Sequence, residues 1–399
     1  MQTLNTEQTT QSATQAFTQA FGPVPGSAHT AGSLSELAFI TAGPAAVGFV
    51  EWIITQARQD RIDHIIFLGQ SGYILHDLMQ SRRAASTEEP FASSHHLPAS
   101  QALFVLACMD PTHILGNDTS RFFNRLSDFI GQSQDLCLPE LLARSGVPVP
   151  SAGVLANLGL DTQQSIAQLD LKKLTDFLFA WRPEIAKICQ NNRRGLYRYM
   201  VENGMAHGAR IALVNLDWQG ATQELFARAL GEFMPLNITG YSFALSETNQ
   251  TRERKKSLHI KSFLQTSTLG AGMVEALAAN HVLTEFLFSA PQAPVIGFSP
   301  RNSDYTVDEG RLDTRHFFTQ AAEVQTGIRQ FARHMAQAEN RPGYGLPAPV
   351  MAGPLLSFIA HDHWERHPQL QAVQNFDPWI NSARHSKRLT DYAVKPHNG

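Results

Sequence analysis

Two short stretches combine residue types that can bind or transform a small ligand. The first is "GQSGY", Gly69 to Tyr73, and the second is "NLDWQGATQ", Asn215 to Gln223. Each follows an apolar run that predicts a buried strand, and each leads into a helical pattern. At such positions the backbone N–H groups and the helix dipole favour an anion. The sequence therefore predicts a phosphate site built from two strand–turn–helix units.

The side chains of the two turns supply neutral donors, an aromatic surface and a single acid. Ser71, Gln219 and Thr222 can donate to a phosphate, and Trp218 offers a stacking surface. Asp217 is the only acid in either turn, so it is the candidate general base or metal ligand, although Asp is also a favoured helix cap. The candidate catalytic residues are thus Asp217 and Ser71, and the candidate substrate-binding residues are Gln70, Gly72, Tyr73, Asn215, Trp218, Gln219, Gly220, Thr222, Gln223, Arg193 and Arg194.

A serine hydrolase is an alternative interpretation of the first turn. "GQSGY" is similar to the G-x-S-x-G nucleophile elbow in its strand–turn–helix setting. Ser71 would be the nucleophile, Asp217 the acid, and His361 or His363 the base. Tyr73 stands where the elbow has its second glycine, and its bulk would push the helix away from the strand.

A metal site and a phosphoribosyl-transfer site are two weaker alternatives. The segment "HDHWERH", 361–367, places His363 and His367 four residues apart on one helical face, which is a ligand spacing for zinc. Its position in a polar tail favours a solvated stretch, so no metal ligand is predicted there. The stretch "LDWQGAT" has a faint similarity to the loop that binds phosphoribosyl pyrophosphate, but it lacks that loop's paired acids.

Composition and charge exclude several classes of protein. The 399 residues carry a net charge of −3, which gives no general attraction to nucleic acid. No apolar run of about 18 residues could span a bilayer, and the amino terminus lacks the apolar stretch of a signal peptide. Cys108, Cys137 and Cys189 form no CxxC pair, and such usage suits a reducing compartment. We therefore expect a cytoplasmic protein with no membrane span and no nucleic-acid partner.

The apolar pattern predicts the elements that must position these turns. Strands are expected at 63–69, 102–108, 210–216, 238–245 and 294–299, with helices between them. Continuous apolar strands separated by helices indicate an α/β fold with a mostly parallel, Rossmann-like sheet and helices on both faces. The expected organisation is a flexible arm over 1–32, an α/β domain over 33–345 with a helical cap insertion at 119–205, and a peripheral extension over 346–399. The cap is expected over the carboxyl ends of the strands, with Arg193 or Arg194 directed at the pocket.

Six motifs in chain order resemble a known family. They are "GPAAVGFVEW" (43–52), "FLGQSGY" (67–73), "RRGLYRYM" (193–200), "VNLDWQGATQ" (214–223), "FLFSAPQAPVIGFS" (286–299) and "TGIRQFARHM" (326–335). Over about 43–335 the chain resembles the carboxyl-terminal region of HAD-superfamily-associated, hydrolase-like proteins of bacterial surface-polysaccharide and glycosyltransferase gene clusters. The resemblance implies a hydrolase or a phosphoryl- or glycosyl-transfer enzyme that handles a phosphate-bearing sugar or nucleotide. It also implies Mg²⁺ as the cation and partners from the polysaccharide machinery.

The chain departs from this family at the positions that would carry the chemistry. Gln70-Ser71 stands where the family has Arg followed by an acid, Asn215 replaces an Asp, and Asp217 replaces a Gly. The family's Ser-Arg after the second strand is "ACMD" (107–110) here, and we expect no amino-terminal HAD domain, because the sequence contains no Asp-x-Asp motif. These changes deplete the Mg²⁺ ligands of a phosphoryl-transfer site. A non-catalytic member that binds a ligand or a protein partner is therefore an equally open alternative.

Overall fold

The structure is a computed structural model. It describes residues 15, 17, 28–86, 91–109, 114, 136–216, 218–231, 233–301, 304–309, 315–337, 346–361, 364–374 and 388–394. The strands are β1 (His64–Leu68), β2 (Ser93–Leu97), β3 (Arg210–Asn215), β4 (Asn237–Ala244), β5 (His259–Leu264), β6 (Val295–Arg301) and β7 (Asp304–Glu309).

The helices follow the strands in alternation for most of the chain. They are α1 (Leu34–Ile40), α2 (Ala42–Gln59), α3 (Gly69–Ala84), α4 (Gln101–Ala107), α5 (Leu138–Arg144), α6 (Ala152–Asn157), α7 (Leu171–Glu202), α8 (Ala221–Gly231), α9 (Asn249–Ser257), α10 (Thr266–Leu269), α11 (Ala271–Ala279), α12 (His281–Leu287), α13 (Arg315–Gln337), α14 (Ala348–His361) and α15 (Pro368–Gln371). Short 3-10 helices lie at Ala28–Thr30, Ile166–Gln168, Trp364–Arg366 and Leu389–Tyr392.

A five-stranded, fully parallel sheet forms the centre of the fold, in the order β2-β1-β3-β4-β5. Alternate residues of each strand face opposite sides. Phe67 and Val214 belong to a core with α2 and α3, whereas Ile66 and Leu213 belong to a core with α4, α7 and α8. Burial on both faces explains why β1 and β3 are continuous apolar runs. The predicted α/β fold with helices on both faces is confirmed.

The strand predicted at 102–108 is wrong. Residues Gln101–Ala107 form helix α4, and the second strand is instead β2, Ser93–Leu97, in a segment that reads as polar. Ser100 caps α4, because its side chain accepts a hydrogen bond from the backbone N–H of Leu103. The run from residue 102 to 107 is apolar on every side because all six residues are buried, and such a run carries no periodicity that separates a helix from a strand. β2 is polar because it lies at the edge of the sheet.

The two later predicted strands exist, but only one belongs to the parallel sheet. β4 matches the strand predicted at 238–245. β6 covers the strand predicted at 294–299 and forms a separate antiparallel pair with β7. The backbone of Val295 ties this pair to the segment after β2, through hydrogen bonds with Pro98 and Ser100. β5, at the other edge of the sheet, has half-exposed polar residues and has no counterpart among the predicted strands.

The helical segment between β2 and β3 builds a second core on α4. Residues 119–135 of the predicted insertion, 119–205, lie outside the described residues. α7 is one helix of 32 residues that continues through Pro183. Its first half packs with α4 and α5, whereas Leu196 and Met200 in its second half pack on the sheet. The segment therefore covers one face of the sheet through α7 as well as forming its own small core.

The carboxyl-terminal segment differs from the peripheral extension that the sequence predicts. Met351, Leu355 and Phe358 of α14 are fully buried in the main core against α2 and α11. In the predicted amino-terminal arm, Phe17 is also buried and stacks on Phe331, with ring centroids 6.4 Å apart. Within the described ranges, no single helix is long and apolar enough to cross a membrane, and only α1 and α2 together, bent by 47°, pass on length and composition.

Candidate functional site

The carboxyl ends of β1 and β3 lie side by side at the point where the strand order reverses. The chain passes from β1 to β2 on one side and from β3 to β4 and β5 on the other. Phe67 of β1 pairs with Val214 of β3, so the turns after Leu68 and Asn215 begin at adjacent positions. Helices α3 and α8 then diverge to opposite faces of the sheet. Open α/β sheets bind their ligands in the crevice at this switch point.

The first turn is a direct junction between β1 and α3. Helix α3 begins at Gly69, which has a φ of 65°, a left-handed conformation that favours glycine. A Cβ atom on Gly72 would lie 2.7 Å from the carbonyl carbon of Phe67, so glycine allows the helix to approach the strand this closely. The Nε2 atom of His96 lies 2.9 Å from the carbonyl oxygen of Gly69. These three features hold the junction in one conformation.

The first turn of α3 presents hydrogen-bond donors at the end of the strand. Gln70, Ser71 and Tyr73 are each half-buried. The Nε2 atom of Gln70 is buried and has no hydrogen-bond partner among the described residues. The helix has Leu68 at its N-cap position, so no side chain there accepts from the first backbone N–H groups. Tyr73 packs edge-on against His96, with ring centroids 5.7 Å apart.

The second turn is anchored through the backbone of Trp218. Its carbonyl oxygen accepts a hydrogen bond of 2.9 Å from the N–H of Ser246, and its ring packs edge-on against His281 at 6.5 Å. The indole Nε1 is buried and, in the part of the chain that the structure describes, lacks a hydrogen-bond partner. Asn215, the last residue of β3, is buried. Asp217 lies outside the described residues, so its catalytic role stays a prediction.

The rest of the second turn is shaped by packing on β5 and α9. The carbonyl oxygen of Gln219 accepts from Nη1 of Arg254 at 3.3 Å. Gly220 has a φ of 78°, and a Cβ atom there would lie 2.6 Å from Cδ1 of Ile260. Thr222 is half-buried in the first turn of α8, a few residues after the end of β3. The turn is therefore fixed from behind by neighbours that do not belong to the predicted site.

Gln223 is directed into the sheet. Its side chain is buried, and its Nε2 donates to the carbonyl oxygen of His259 at 3.1 Å. A Cβ atom on Gly240 of β4 would overlap its Oε1. The packing of α8 on β4 and β5 therefore accounts for the direction of the Gln223 side chain, although its Oε1 is buried without a hydrogen-bond partner among the described residues.

The two predicted arginines lie away from the second turn. The guanidinium of Arg193 lies over the Phe233 ring, 5.5 Å from its centroid, and Arg194 is exposed. Phe233 follows the carboxyl end of α8, whereas Thr222 lies in its first turn. The nine residues from Thr222 to Gly231 span roughly 14 Å at 1.5 Å per helical residue. The structure therefore brings the two turns together and places Arg193 at the opposite end of α8 from Thr222.

His96 borders the first turn and is not predicted by the sequence pattern. Its ring stacks on His76 of α3, with centroids 6.2 Å apart. Burial lowers the pKa of His96 to about 4, so the ring is neutral near pH 7. Its Nε2 then carries the proton and donates to the carbonyl oxygen of Gly69. Two consecutive histidines in "SSHHL" are the only sequence signal, and the polar composition of an edge strand hides them.

The described residues supply few of the side chains that the serine-hydrolase and metal-site alternatives require. Ser71 makes no hydrogen bond to a histidine in the described ranges, and the proposed bases, the His361 side chain and His363, fall outside them. His367 is buried, and its Nε2 lies 3.0 Å from the carbonyl oxygen of Ala28. Among the residues the structure describes, no group of three His, Cys, Asp or Glu side chains could hold a metal ion.

Comparison with known proteins adds no relative. Neither the models of protein families nor the curated proteins give a match to this chain. The family resemblance therefore remains an expectation from the six motifs, and the functional argument depends on the geometry at the ends of β1 and β3.

Proposed function

We propose that this chain binds a phosphate-bearing sugar or nucleotide derivative at the carboxyl ends of β1 and β3. One observation carries the proposal. Each of the two turns holds a buried side-chain donor without a partner among the described residues, Nε2 of Gln70 and Nε1 of Trp218. Buried polar groups in native proteins are nearly always hydrogen-bonded, so an orphaned donor needs an explanation. Two such donors at adjacent strand ends are explained by a ligand that supplies acceptors.

The surroundings of these donors favour an anionic acceptor. The first turn of α3 has backbone N–H groups without a side-chain cap, and the positive end of the helix dipole lies there. Phosphate oxygens accept several hydrogen bonds at once, as this arrangement requires. The half-buried ring of Trp218 adds a flat apolar surface for the rest of the ligand.

The residue types at the positions expected to be catalytic favour ligand binding over turnover. Gln70, Ser71 and Asn215 carry no carboxylate, although the family resemblance places acids at two of these positions. Asp217 is then the one acid left for a general base or for Mg²⁺. The same ligand would suit either a hydrolase of HAD-like type or a non-catalytic binding protein. The motif resemblance favours a role in surface-polysaccharide biosynthesis.

Calorimetric titration with a panel of nucleotides and sugar phosphates tests the proposal. We expect at least one member to bind, and Trp218→Phe to weaken it about tenfold or more, because a hydrogen bond to a charged group contributes about 1.5–3 kcal/mol. Trp181→Phe is the matched control, since the Nε1 of Trp181 already donates to the carbonyl oxygen of Pro148. A panel without any binding, or equal losses in both variants, contradicts the proposal.

Turnover is tested separately from binding. If the bound ligand is hydrolysed, Asp217→Asn should abolish the hydrolysis while thermal stability stays nearly unchanged, because Asn keeps the size of the side chain and removes only its carboxylate. Binding without release of phosphate would identify a binding protein, and retained hydrolysis in this variant would remove Asp217 from the mechanism.

A further inference from the structure

A cavity of about 230 Å³ lies between α2, α3 and α13, apart from the site at the strand ends. Its apolar lining is formed by Val47, Val50, Leu78, Ala332, Met335 and Ala336. Helix α13 packs mainly on α1 and α2 and only lightly on α3, so a space remains where α13 and α3 separate. An engineered apolar cavity of about 150 Å³ is large enough to bind benzene. The cavity can therefore hold a small apolar group.

Three arginines line the cavity, and two of them form ion pairs with carboxylates. Arg82 pairs with Glu51 at 2.9 Å, and Arg329 pairs with Asp77 at 2.6 Å. Arg333, one helical turn after Arg329, lines the same cavity, is exposed and forms no ion pair with any residue that the structure describes. Among the described residues that line the cavity, Arg333 is therefore the arginine without a carboxylate partner beside the apolar lining.

Glu51 forms part of the cavity wall and is half-buried. Burial raises the pKa of Glu51 above its ordinary value, and the nearby Arg82 opposes that rise. Water is thus partly excluded from the inner wall, where attraction between opposite charges is stronger than in bulk solvent. An incoming anion would meet Arg333 at the open side and an apolar floor beneath it.

We propose that this cavity binds a small amphiphilic monoanion, with an apolar body somewhat larger than benzene and a carboxylate directed at Arg333. The ligand's single negative charge matches Arg333, the lining arginine that has no ion pair with the described residues, and its apolar body covers Val50, Leu78 and Met335. Arg82 and Gln70 are twelve residues apart on α3, which is roughly 18 Å. This site is therefore separate from the proposed phosphate site, and neither depends on the other.

Methyl NMR titration of the full chain with hexanoate tests the site, with hexylamine and hexan-1-ol as probes of opposite and no charge at equal ionic strength. We expect hexanoate to shift the Met335 methyl resonance in a saturable way, and the other two probes to bind at least fivefold more weakly. Arg333→Gln should weaken hexanoate fivefold to tenfold. Arg301→Gln, which removes an exposed arginine on β6, should leave it unchanged. A Met335 methyl resonance that does not respond to hexanoate, or that responds equally to hexylamine, overturns the proposal.

Filling the cavity tests whether the apolar body binds where we place it. Ala332→Leu adds a side chain to the half-buried wall and should abolish hexanoate binding. Ala336→Leu does the same from an exposed position and serves if the first variant fails to fold. Unchanged hexanoate affinity in a folded Leu variant overturns the proposal, because the added side chain occupies the volume that the ligand needs.

Discussion

Replacing Gln70 by Met should stabilise the ligand-free protein and weaken its ligand binding at the same time. The Nε2 atom of Gln70 is buried without a partner in the described ranges, and such a group costs about 1–3 kcal/mol. Met has a similar length and helix propensity but no donor, so the substitution removes the cost without a cavity. We expect the free energy of unfolding to rise by about 1 kcal/mol and phosphate-ligand affinity to fall about tenfold.

Gln80→Met provides the matched control in the same helix. The Nε2 of Gln80 donates to the Ser94 hydroxyl at 2.9 Å, so this substitution removes a hydrogen bond that exists. It should lower the free energy of unfolding by about 1 kcal/mol or less, the opposite sign to Gln70→Met. Urea unfolding of phosphate-free protein measures the free energy of unfolding of both variants. If the two variants lose stability equally, the Gln70 amide is satisfied in the free protein and the ligand argument fails.

Two further predictions concern the junction that presents Gln70. The free energy of unfolding should fall as the pH drops from about 6.5 to about 4, because folding lowers the His96 pKa from 6.5 to about 4 and the unfolded chain therefore takes up the proton first. His96→Gln should make the free energy of urea unfolding less dependent on pH over this range. An unchanged pH dependence in this variant would refute the assignment to His96. Gly72→Ala should destabilise the protein by about 1–3 kcal/mol, because the added Cβ atom meets the backbone of Phe67. Gly231→Ala in α8 is the control, since its Cβ atom meets open space, and it should be neutral or stabilising in thermal unfolding. Equal effects of the two substitutions would show that β1 and α3 do not approach each other closely.

The sequence predicts those strands that are buried on both faces of the sheet. β1 and β3 are buried on both faces, so each is a continuous apolar run and is found directly. β2 and β5 lie at the two edges of the sheet, where half-exposed residues such as His95 and Lys261 are tolerated, and their polar sequences conceal them. The helix α4 is buried all around, so its apolar run has the appearance of a strand.

The candidate site divides in the same way between local and tertiary information. A turn at the end of an apolar strand is visible in the sequence, and so the pair of turns at Gln70 and Trp218 could be predicted. The direction of a side chain in the following helix depends on what packs behind it. Gln223 turns towards Gly240, and Arg193 lies over Phe233, because of neighbours distant in sequence. His96 reaches Gly69 only after β2 has paired with β1.

Hydrogen bonds hold one backbone position in each turn before any ligand arrives, and this bears on how tightly the site can bind. The hydrogen bond from His96 holds Gly69, and the hydrogen bond from Ser246 holds the backbone of Trp218. Binding therefore need not order the backbone of Gly69 or Trp218, which lowers the entropic cost of binding at these two positions. Two orphaned donors in a fixed frame each lose about 1–3 kcal/mol in the free protein, which is large beside a typical net stability of about 5–15 kcal/mol. An acceptor that reaches both donors would recover that loss, and this is the physical reason to expect one anionic group between β1 and β3.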